Sequence, residues 1–302
     1  MTRTLSLLIL SLCLTACSAT STPTQNATLG QPGTMAELLN SLKQPGVIEF
    51  EKYATADWAV NLSGLVNLEH PKAQAAGLED RLEQIQIFTY SLAHPTQGTY
   101  LVDSGLSQRF LDIDNNSDVS MLVKLAMGVD TLKVHLTTDT LNDQLAGVDG
   151  VFLTHIHLDH IMGLTDLSSD VPVYIGPGDA AAKDPMNVFT KGTTDRLMAK
   201  VEALLEWQYT ETGIIDVFGD GSLWAIHSPG HTPGATAYLA NTTSGPQLML
   251  GDASHTKWGW ENNVEPGTFS VDVAASVASL ARLKALVAED TRISAHPGHQ
   301  AL

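Results

Sequence analysis

Cysteine is scarce in this sequence: there are two among 302 residues, and both lie near the start, at Cys13 and Cys17. The surrounding segment has the features of a targeting signal, since Arg3 is followed by an apolar run over residues 5–14. That run is too short to cross a bilayer as a helix. Beyond residue 17, the absence of cysteine excludes disulfides and thiolate metal ligands.

Basic residues are also few, with 16 Lys and Arg against 33 Asp and Glu and a formal net charge of −17. Binding to nucleic-acid phosphates needs a basic surface, so nucleic acid is excluded as a partner. The chain is nevertheless 43% hydrophobic, which is enough to bury a large core. Its length fits one large domain or two small ones.

The end of the targeting segment, Leu14-Thr15-Ala16-Cys17, resembles a bacterial lipoprotein signal. The resemblance implies cleavage after residue 16 and acylation of the Cys17 sulfur, which would leave no free thiol. Ser18 follows, and such lipoproteins usually reach the outer membrane when aspartate is absent there. We therefore expect a protein anchored in the outer membrane of a bacterium and facing the periplasm. The alternative is an ordinary signal peptide that happens to contain a cysteine.

The following residues are rich in Ser, Thr, Gln, Gly and Pro over 18–34 and lack apolar periodicity. This composition predicts that residues 17–45 comprise the acylated cysteine and a flexible tether. The remaining residues, 46–302, are predicted to form one domain.

Hydrophobic patterning within 46–302 predicts strands in both halves, and each half ends in helix. The predicted strands are 47–50, 85–90, 99–105, 148–153, 171–175, four more between 213 and 251, and 292–295. The predicted helices are 117–127, 138–145, 193–207 and 270–289. In the last helix Val273, Val277, Leu280 and Val287 are expected on the buried face. This order suits two sheets packed face to face with helices outside.

The most informative segment is His155-Ile156-His157-Leu158-Asp159-His160, which directly follows an apolar strand. Side chains two apart on an extended backbone point the same way, so His155 and His157 can bind one ion together. Asp159 and His160 follow on the turn and are placed to hold a second ion. Imidazole and carboxylate ligands suit zinc and also allow manganese or iron.

Three later segments supply further candidate ligands, each at a strand end. They are His231 in Pro-Gly-His-Thr-Pro-Gly, Asp252 in Leu-Gly-Asp, and the pair His296 and His299 in His-Pro-Gly-His. A carboxylate that ends a buried strand is costly unless a cation meets it. The other histidines, at 70, 94, 135 and 227, are interpreted as structural.

The four motifs, in this order, resemble the metallo-β-lactamase superfamily over roughly residues 46–302. The resemblance implies an αββα sandwich, an α/β fold with two metal ions at one edge. It implies that His155, His157 and His231 hold the first zinc, that Asp159, His160 and His299 hold the second, and that Asp252 bridges them. His299 is preferred to His296 because it completes Pro-Gly-His. Asp103 matches an aspartate that orients a ligand histidine, or else is a turn residue after a strand.

Two zinc ions can share a hydroxide at neutral pH, which predicts hydrolysis of a small-molecule ester, lactone or amide. Mn²⁺ or Fe²⁺ could replace zinc. Asp159 is the candidate for steering the proton to the leaving group.

Residues 251–257 and 279–284 look like the matching stretches of N-acyl-homoserine lactone lactonases, so the expected substrate is such a lactone. Those enzymes commonly carry a tyrosine three residues after the bridging aspartate, where it contacts the lactone carbonyl. Here that position is His255, a candidate catalytic hydrogen-bond donor. Trp258 and Trp260 either wall the substrate site or pin a loop.

Two alternatives remain at this point: a β-lactam hydrolase of the all-histidine type, and a non-catalytic, lipid-anchored metal-binding protein. The sequence leaves the oligomeric state open.

Overall fold

Two β-sheets pack face to face and carry helices on both outer surfaces, in a computed structural model that describes residues 18–302. The αββα sandwich predicted from the sequence is confirmed. Within the described residues, no helix combines the length and apolar character needed to span a bilayer.

The sandwich contains fourteen strands among residues 18–302. They are β1 (Thr24–Asn26), β2 (Gln31–Pro32), β3 (Glu49–Asn61), β4 (Leu82–His94), β5 (Gly98–Val102), β6 (Lys133–Val134), β7 (Gly150–Phe152), β8 (Val173–Ile175), β9 (Leu204–Glu206), β10 (Ile214–Asp216), β11 (Leu223–His227), β12 (Thr236–Thr242), β13 (Gly245–Gly251) and β14 (Ser294–Pro297). The first sheet has the order β1-β9-β8-β7-β5-β4-β3-β6, and the second has the order β14-β13-β12-β11-β10-β2. Strands β1, β9, β8, β7 and β5 are parallel, as are β13 and β14.

Helices cover both sheets. They are α1 (Met35–Ser41), α2 (Leu62–Leu65), α3 (Pro71–Ala75), α4 (Met121–Met127), α5 (Thr138–Gln144), α6 (Leu158–Ile161), α7 (Asn187–Leu197), α8 (Lys257–Asn262) and α9 (Val273–Glu289). Short 3₁₀ helices lie at Gln108–Asp112, Val129–Thr131 and Leu164–Asp166. Helices α1 and α9 pack on the second sheet, and α4 to α7 pack on the first.

An aromatic cluster fills the space between the sheets. The Phe152 ring of β7 stacks on Tyr100 with centroids 4.8 Å apart and lies 5.7 Å from the Tyr238 ring of the second sheet. The indole N–H of Trp207 donates to the Tyr238 hydroxyl at 2.9 Å, which satisfies two buried polar groups. This core fixes the end of β7 and the start of β12, which border two of the site loops.

The prediction of a flexible tether is wrong for residues 18–45. Strand β1 pairs with β9, and β2 pairs with β10. A capping box of Thr34 and Glu37 stabilises the start of helix α1, and Leu38 of this helix is buried in the hydrophobic cluster between the second sheet and its helices. Backbone pairing at a sheet edge needs no apolar alternation, so a polar composition does not reveal it. Cys17 and the predicted signal lie outside the described residues.

Two helix predictions also need correction. The helix expected over 193–207 is α7, which ends at Leu197, and residues 204–206 form β9 instead. In α9, Val273 and Val277 are exposed, whereas Ser276 and Ser279 are buried. Ser279 Oγ donates to the Pro229 carbonyl at 2.7 Å. Small serines let α9 approach the Pro-Gly loop closely, and that contact overrides the pattern of valines.

Candidate metal centre

The predicted ligand residues meet at one edge of the sandwich, on loops that follow the ends of β7, β11, β13 and β14. His155 and His157 lie in the extended segment after β7, and α6 then brings Asp159 and His160 to the same edge. His155 has no exposed surface and His160 is 4% exposed. The site is therefore largely removed from water.

The first group of candidate ligands is His155, His157, His231 and Asp252, whose ligand atoms lie within 4.8 Å of one another. His231 Nε2 is 3.1 Å from His155 Nε2 and 2.8 Å from His157 Nδ1. Imidazole nitrogens converge here, and a proton on His231 Nε2 could form a hydrogen bond in only one of these two nitrogen–nitrogen contacts at a time. A shared cation satisfies all of them, so the arrangement fits a metal ion.

The second group is Asp159, His160 and His299, also within 4.8 Å. His299 Nε2 lies 3.3 Å from Asp159 Oδ2 and 3.2 Å from Asp252 Oδ1. The other Asp252 oxygen lies 3.5 Å from His160 Nε2 and 3.3 Å from His231 Nε2 of the first group. Asp252 thus connects the two groups, in the position predicted for a bridging ligand.

Hydrogen bonds on the outer nitrogens fix how two of these rings face the site. His299 Nδ1 donates to the Gln86 carbonyl at 2.9 Å, and a carbonyl can only accept, so Nε2 presents its lone pair inward. His160 Nδ1 donates to Asp103 Oδ2 at 2.8 Å. His160 Nε2 and Asp252 Oδ1 are buried and make no hydrogen bond to any of residues 18–302. Inward lone pairs on buried, unpaired atoms fit divalent cations.

Asp103 makes the contact predicted for it. It follows β5 with φ +58°, a left-handed conformation that aspartate tolerates better than most residues. Its carboxylate also accepts from the Thr154 hydroxyl at 2.9 Å. The hydroxyl oxygen of Thr154 lies 3.2 Å from His155 Nδ1. Because the Thr154 proton is directed to Asp103, Thr154 accepts from His155. One carboxylate therefore orients a histidine in each group.

Thr154 was not identified from the sequence, and neither was Asp179. Asp179 is buried and accepts backbone N–H bonds from Ile156 at 2.8 Å and Gly234 at 3.1 Å. It therefore ties together the two loops that carry His157 and His231. The only sequence signal is its place after a Gly-Pro-Gly turn, which is common in loops without function.

The remaining histidines lie outside the cluster, as predicted. His296 Nε2 pairs with the Gln247 side chain at 2.8 Å, and His227 Nε2 donates to the Pro233 carbonyl at 2.9 Å. His70 accepts from the Lys72 N–H at the start of α3. His94 and His135 pair with Asp220 and Asp57, respectively.

His255 is buried beside the cluster, and its Nε2 is 3.1 Å from Asp252 Oδ2. Its Nδ1 donates to the Leu65 carbonyl at 3.1 Å. Nε2 faces the Asp252 carboxylate and makes no hydrogen bond within the described residues. Both ring nitrogens thus face protein oxygen atoms, and the role of His255 as a hydrogen-bond donor to substrate stays a prediction.

A family comparison decides the identity of this fold. Residues 84–291 match the model of the metallo-β-lactamase superfamily. The chain belongs to the metallo-β-lactamase superfamily.

Individual relatives of this chain are lactonases by name. The N-acyl homoserine lactonase AttM of Azorhizobium caulinodans is 35% identical over 99 residues, which cover 32% of this chain and 37% of the relative. The match thus spans little more than a third of that protein's length.

Solved structures share the fold. An N-acyl homoserine lactone hydrolase with the product N-hexanoyl-L-homoserine at its catalytic metal centre has a TM-score of 0.58 at 18% identity, covering 85% of this chain and 94% of that one. AidC, a dizinc quorum-quenching lactonase, has a TM-score of 0.58 at 15% identity, covering 85% and 88%.

A cavity of about 860 Å³ leads to the candidate metal site of this metallo-β-lactamase superfamily member. Its lining combines Asp159, His231 and His255 with apolar side chains that include Trp58, Leu65, Leu82, Ile85, Met127, Ile156, Leu158 and Phe269. Trp258 and Trp260 are not part of this lining. Trp260 packs in the core beneath α9, with Lys284 Nζ 4.5 Å from its ring, and Trp258 packs against the core of the first sheet, so both residues attach α8 to the domain.

The histidine pKa values differ between the two groups in the metal-free protein. Burial lowers the pKa of His155 and His231 well below 6.5 and lowers that of His157. Burial also opposes charge on His160, but the carboxylates of Asp103, Asp252 and Asp159 raise its pKa well above 6.5. Asp252 likewise raises the pKa of His299.

We therefore expect metal binding near neutral pH to displace more protons from the second group than from the first, because the pKa values of His160 and His299 are raised and those of His155, His157 and His231 are lowered. Below their raised pKa values, affinity for the second ion should fall by up to about 100-fold per pH unit if both protons are displaced. Calorimetric titration with Zn²⁺ in two buffers of different ionisation enthalpy counts the protons. Equal release at both steps would contradict this assignment.

Proposed function

We propose that the protein is a dinuclear zinc hydrolase that opens the ester ring of N-acyl-homoserine lactones. The observation that carries the proposal is Asp252, which lies between two groups of candidate ligands in a shared cluster. The names of its lactonase relatives support the lactone ring as substrate. Manganese or iron could also be bound by these ligands.

Bound divalent ions supply Lewis-acid polarisation of a carbonyl oxygen and acidification of water. The protein provides the orientation. Asp159 lines the cavity, and its side chain is 13% exposed, so it faces both the cluster and the substrate. It is placed to take a proton from the attacking water and pass it to the ring oxygen as the carbonyl carbon–oxygen bond breaks. The products are then a free carboxylate and a hydroxyl group.

The cavity supports an acyl substrate. Its volume of about 860 Å³ exceeds the needs of a five-membered ring. Ile156 and Leu158 alternate with ligand residues, and Trp58 and Met127 extend the apolar lining away from the metal site. The ring ester can therefore lie at the cluster while the acyl chain follows the apolar wall.

The test is turnover of one metal-loaded sample with a long-chain acyl-homoserine lactone, an aryl ester and a β-lactam, with zinc measured on the same sample. Preferential lactone opening with about two zinc ions per chain is the expected result. Preferential β-lactam cleavage would refute the lactone assignment. Two bound ions without turnover of any substrate would instead support the non-catalytic, metal-binding alternative.

His255→Gln should lower kcat/KM for the lactone by less than about tenfold, because the two ring nitrogens of His255 face the Leu65 carbonyl and the Asp252 carboxylate, each at 3.1 Å, and not the substrate. The glutamine amide can still donate to the Leu65 carbonyl. Steady-state kinetics on protein that retains two metal ions measures the effect. A loss above about 100-fold with both ions present would show that residue 255 donates to the transition state after all.

We also propose that Cys17 is acylated and anchors the protein in the outer membrane, facing the periplasm. The support is the Leu14-Thr15-Ala16-Cys17 sequence. Mass spectrometry of the protein from bacterial membranes should find lipid on residue 17, and Cys17→Ser should release the protein in soluble form.

A further inference from the structure

The first residues after Cys17 are fixed to helix α7. Thr20 Oγ1 donates to Asp195 Oδ1 at 2.7 Å, and the Ser21 N–H donates to the same oxygen at 2.6 Å. Lys191 Nζ donates to Ser21 Oγ at 2.6 Å. Since no flexible tether follows residue 17, a lipid there would hold this side of the domain directly against a bilayer.

The surface of α7 continues from this segment to helix α4. Val188, Lys191 and Asp195 are spaced i, i+3 and i+7, so Val188 lies on the face that contacts the N-terminal segment. Thr193, on the neighbouring face, accepts from the Ser120 N–H at 3.2 Å at the start of α4. The two helices and the N-terminal segment are therefore neighbours on one side of the molecule.

Large apolar side chains are exposed across this side. Half of the exposed large apolar residues within 18–302 belong to two short segments, 111–125 and 186–189. They are Leu111, Met121, Leu122, Leu125, Met186, Val188 and Phe189. Leu125 is 82% exposed and Met121 is 78% exposed. We call these seven residues the α4–α7 apolar face, and a cluster of this kind marks an interaction surface.

The cavity lies beside the same face. Ala126 and Met127 at the end of α4, and Met186, Thr190 and Thr194 at α7, form one side of its lining. A molecule that reaches the α4–α7 apolar face is thus next to the route to the candidate metal site.

We infer that the α4–α7 apolar face docks on the lipid bilayer that anchors the chain, so that amphiphilic substrates enter the cavity from the membrane side. The inference rests on the proposed acylation of Cys17 and on the proposed acyl substrate. Helix α7 is about 16 Å long at 1.5 Å per residue, so its exposed Val188 and Phe189 lie within about that distance of the N-terminal segment that Lys191 and Asp195 hold. With a net charge of −17, the protein gains no attraction to anionic lipid, and apolar insertion must provide the contact.

The test uses the mature lipoprotein, metal-loaded, in vesicles of phosphatidylethanolamine and phosphatidylcholine. An environment-sensitive fluorophore is attached at Leu125→Cys or, as a matched control, at Ser244→Cys. Ser244 is exposed in the turn before β13, at the end opposite Asp252. Cleavage removes Cys13 and acylation occupies Cys17, so each variant has one free thiol. The label at 125 should shift to the blue and be quenched by brominated lipid, and the label at 244 should do neither.

A second variant measures the consequence for substrate. Leu122→Glu combined with Leu125→Glu places two charges on exposed positions, so the fold should be retained. We expect about a tenfold higher KM for a long-chain lactone dissolved in vesicles and an unchanged kcat/KM for a water-soluble short-chain lactone.

Several results would overturn the inference. If the label at 125 remains in water on anchored protein, docking of this face is refuted, and the proposed lactone turnover is not affected by that result. A blue shift that depends on protein concentration in lipid-free Cys17→Ser protein would assign the face to a second copy. Failure of the wild-type protein to stay on vesicles would remove the anchor on which the inference rests.

Discussion

Asp252→Asn is expected to remove one of two bound metal ions and to lower kcat/KM for the lactone by at least about 10³-fold, equivalent to about 4 kcal/mol of transition-state stabilisation. Asp252 is the shared residue, with one oxygen 3.2 Å from His299 Nε2 and the other 3.3 Å from His231 Nε2. Burial raises its pKa, but His255, His299, His160 and His231 together hold it well below 3.8, so the carboxylate is ionised at neutral pH. Asparagine keeps the shape and loses that charge. Elemental analysis and kinetics on one preparation measure both effects.

A matched pair of variants in the last motif serves as the control. His299→Gln should lose the same ion as Asp252→Asn, whereas His296→Gln should retain both, because His296 pairs with Gln247 outside the cluster. Two ions and unchanged turnover in Asp252→Asn would contradict the bridging assignment. Loss of an ion in His296→Gln would transfer the ligand role to that histidine.

Asp103→Asn should weaken binding of the second ion by about 10- to 100-fold, the usual effect of removing a partner that orients a ligand histidine. Asp103 accepts from His160 Nδ1 at 2.8 Å, so its charge favours the correct orientation of the ring. Asparagine tolerates the left-handed backbone at φ +58°, whereas alanine is strained there by about 1–2 kcal/mol. Asp103→Ala should therefore also lower the melting temperature. Chelator competition and thermal unfolding separate the two effects.

The pH dependence of the metal-free protein provides a further check on Asp103. The folded pKa of His160 is raised, so its pairing with Asp103 stabilises the fold fully below the ordinary histidine pKa of 6.5. That contribution is lost as pH rises through the raised folded pKa. The variant should thus destabilise the metal-free protein more at pH 6 than at high pH. A pH-independent loss would show that Asp103 acts only through packing and neutral hydrogen bonds.

The sequence alone determined the cluster and the fold class. The spacing of His155, His157, Asp159 and His160 places four ligand side chains on one loop, and this local geometry requires no knowledge of distant contacts. Strand-end motifs then located His231, Asp252 and His299. The resemblance to the superfamily predicted the αββα layer order, and the structure has this order.

Only the tertiary structure decided which groups surround those ligands. Thr154 and Asp179 act through contacts with residues 51 and 23 positions away, respectively, and no local pattern encodes such pairings. The carbonyl of Leu65 fixes the orientation of the His255 ring across 190 positions. The polar residues 18–34 joined the sheets because backbone hydrogen bonds at a sheet edge depend little on side-chain type. Residue identity alone shows which side chains can bind a metal ion. The orientation and protonation of those side chains, and strand pairing at the sheet edges, depend on which distant backbone and side-chain groups the fold brings into contact.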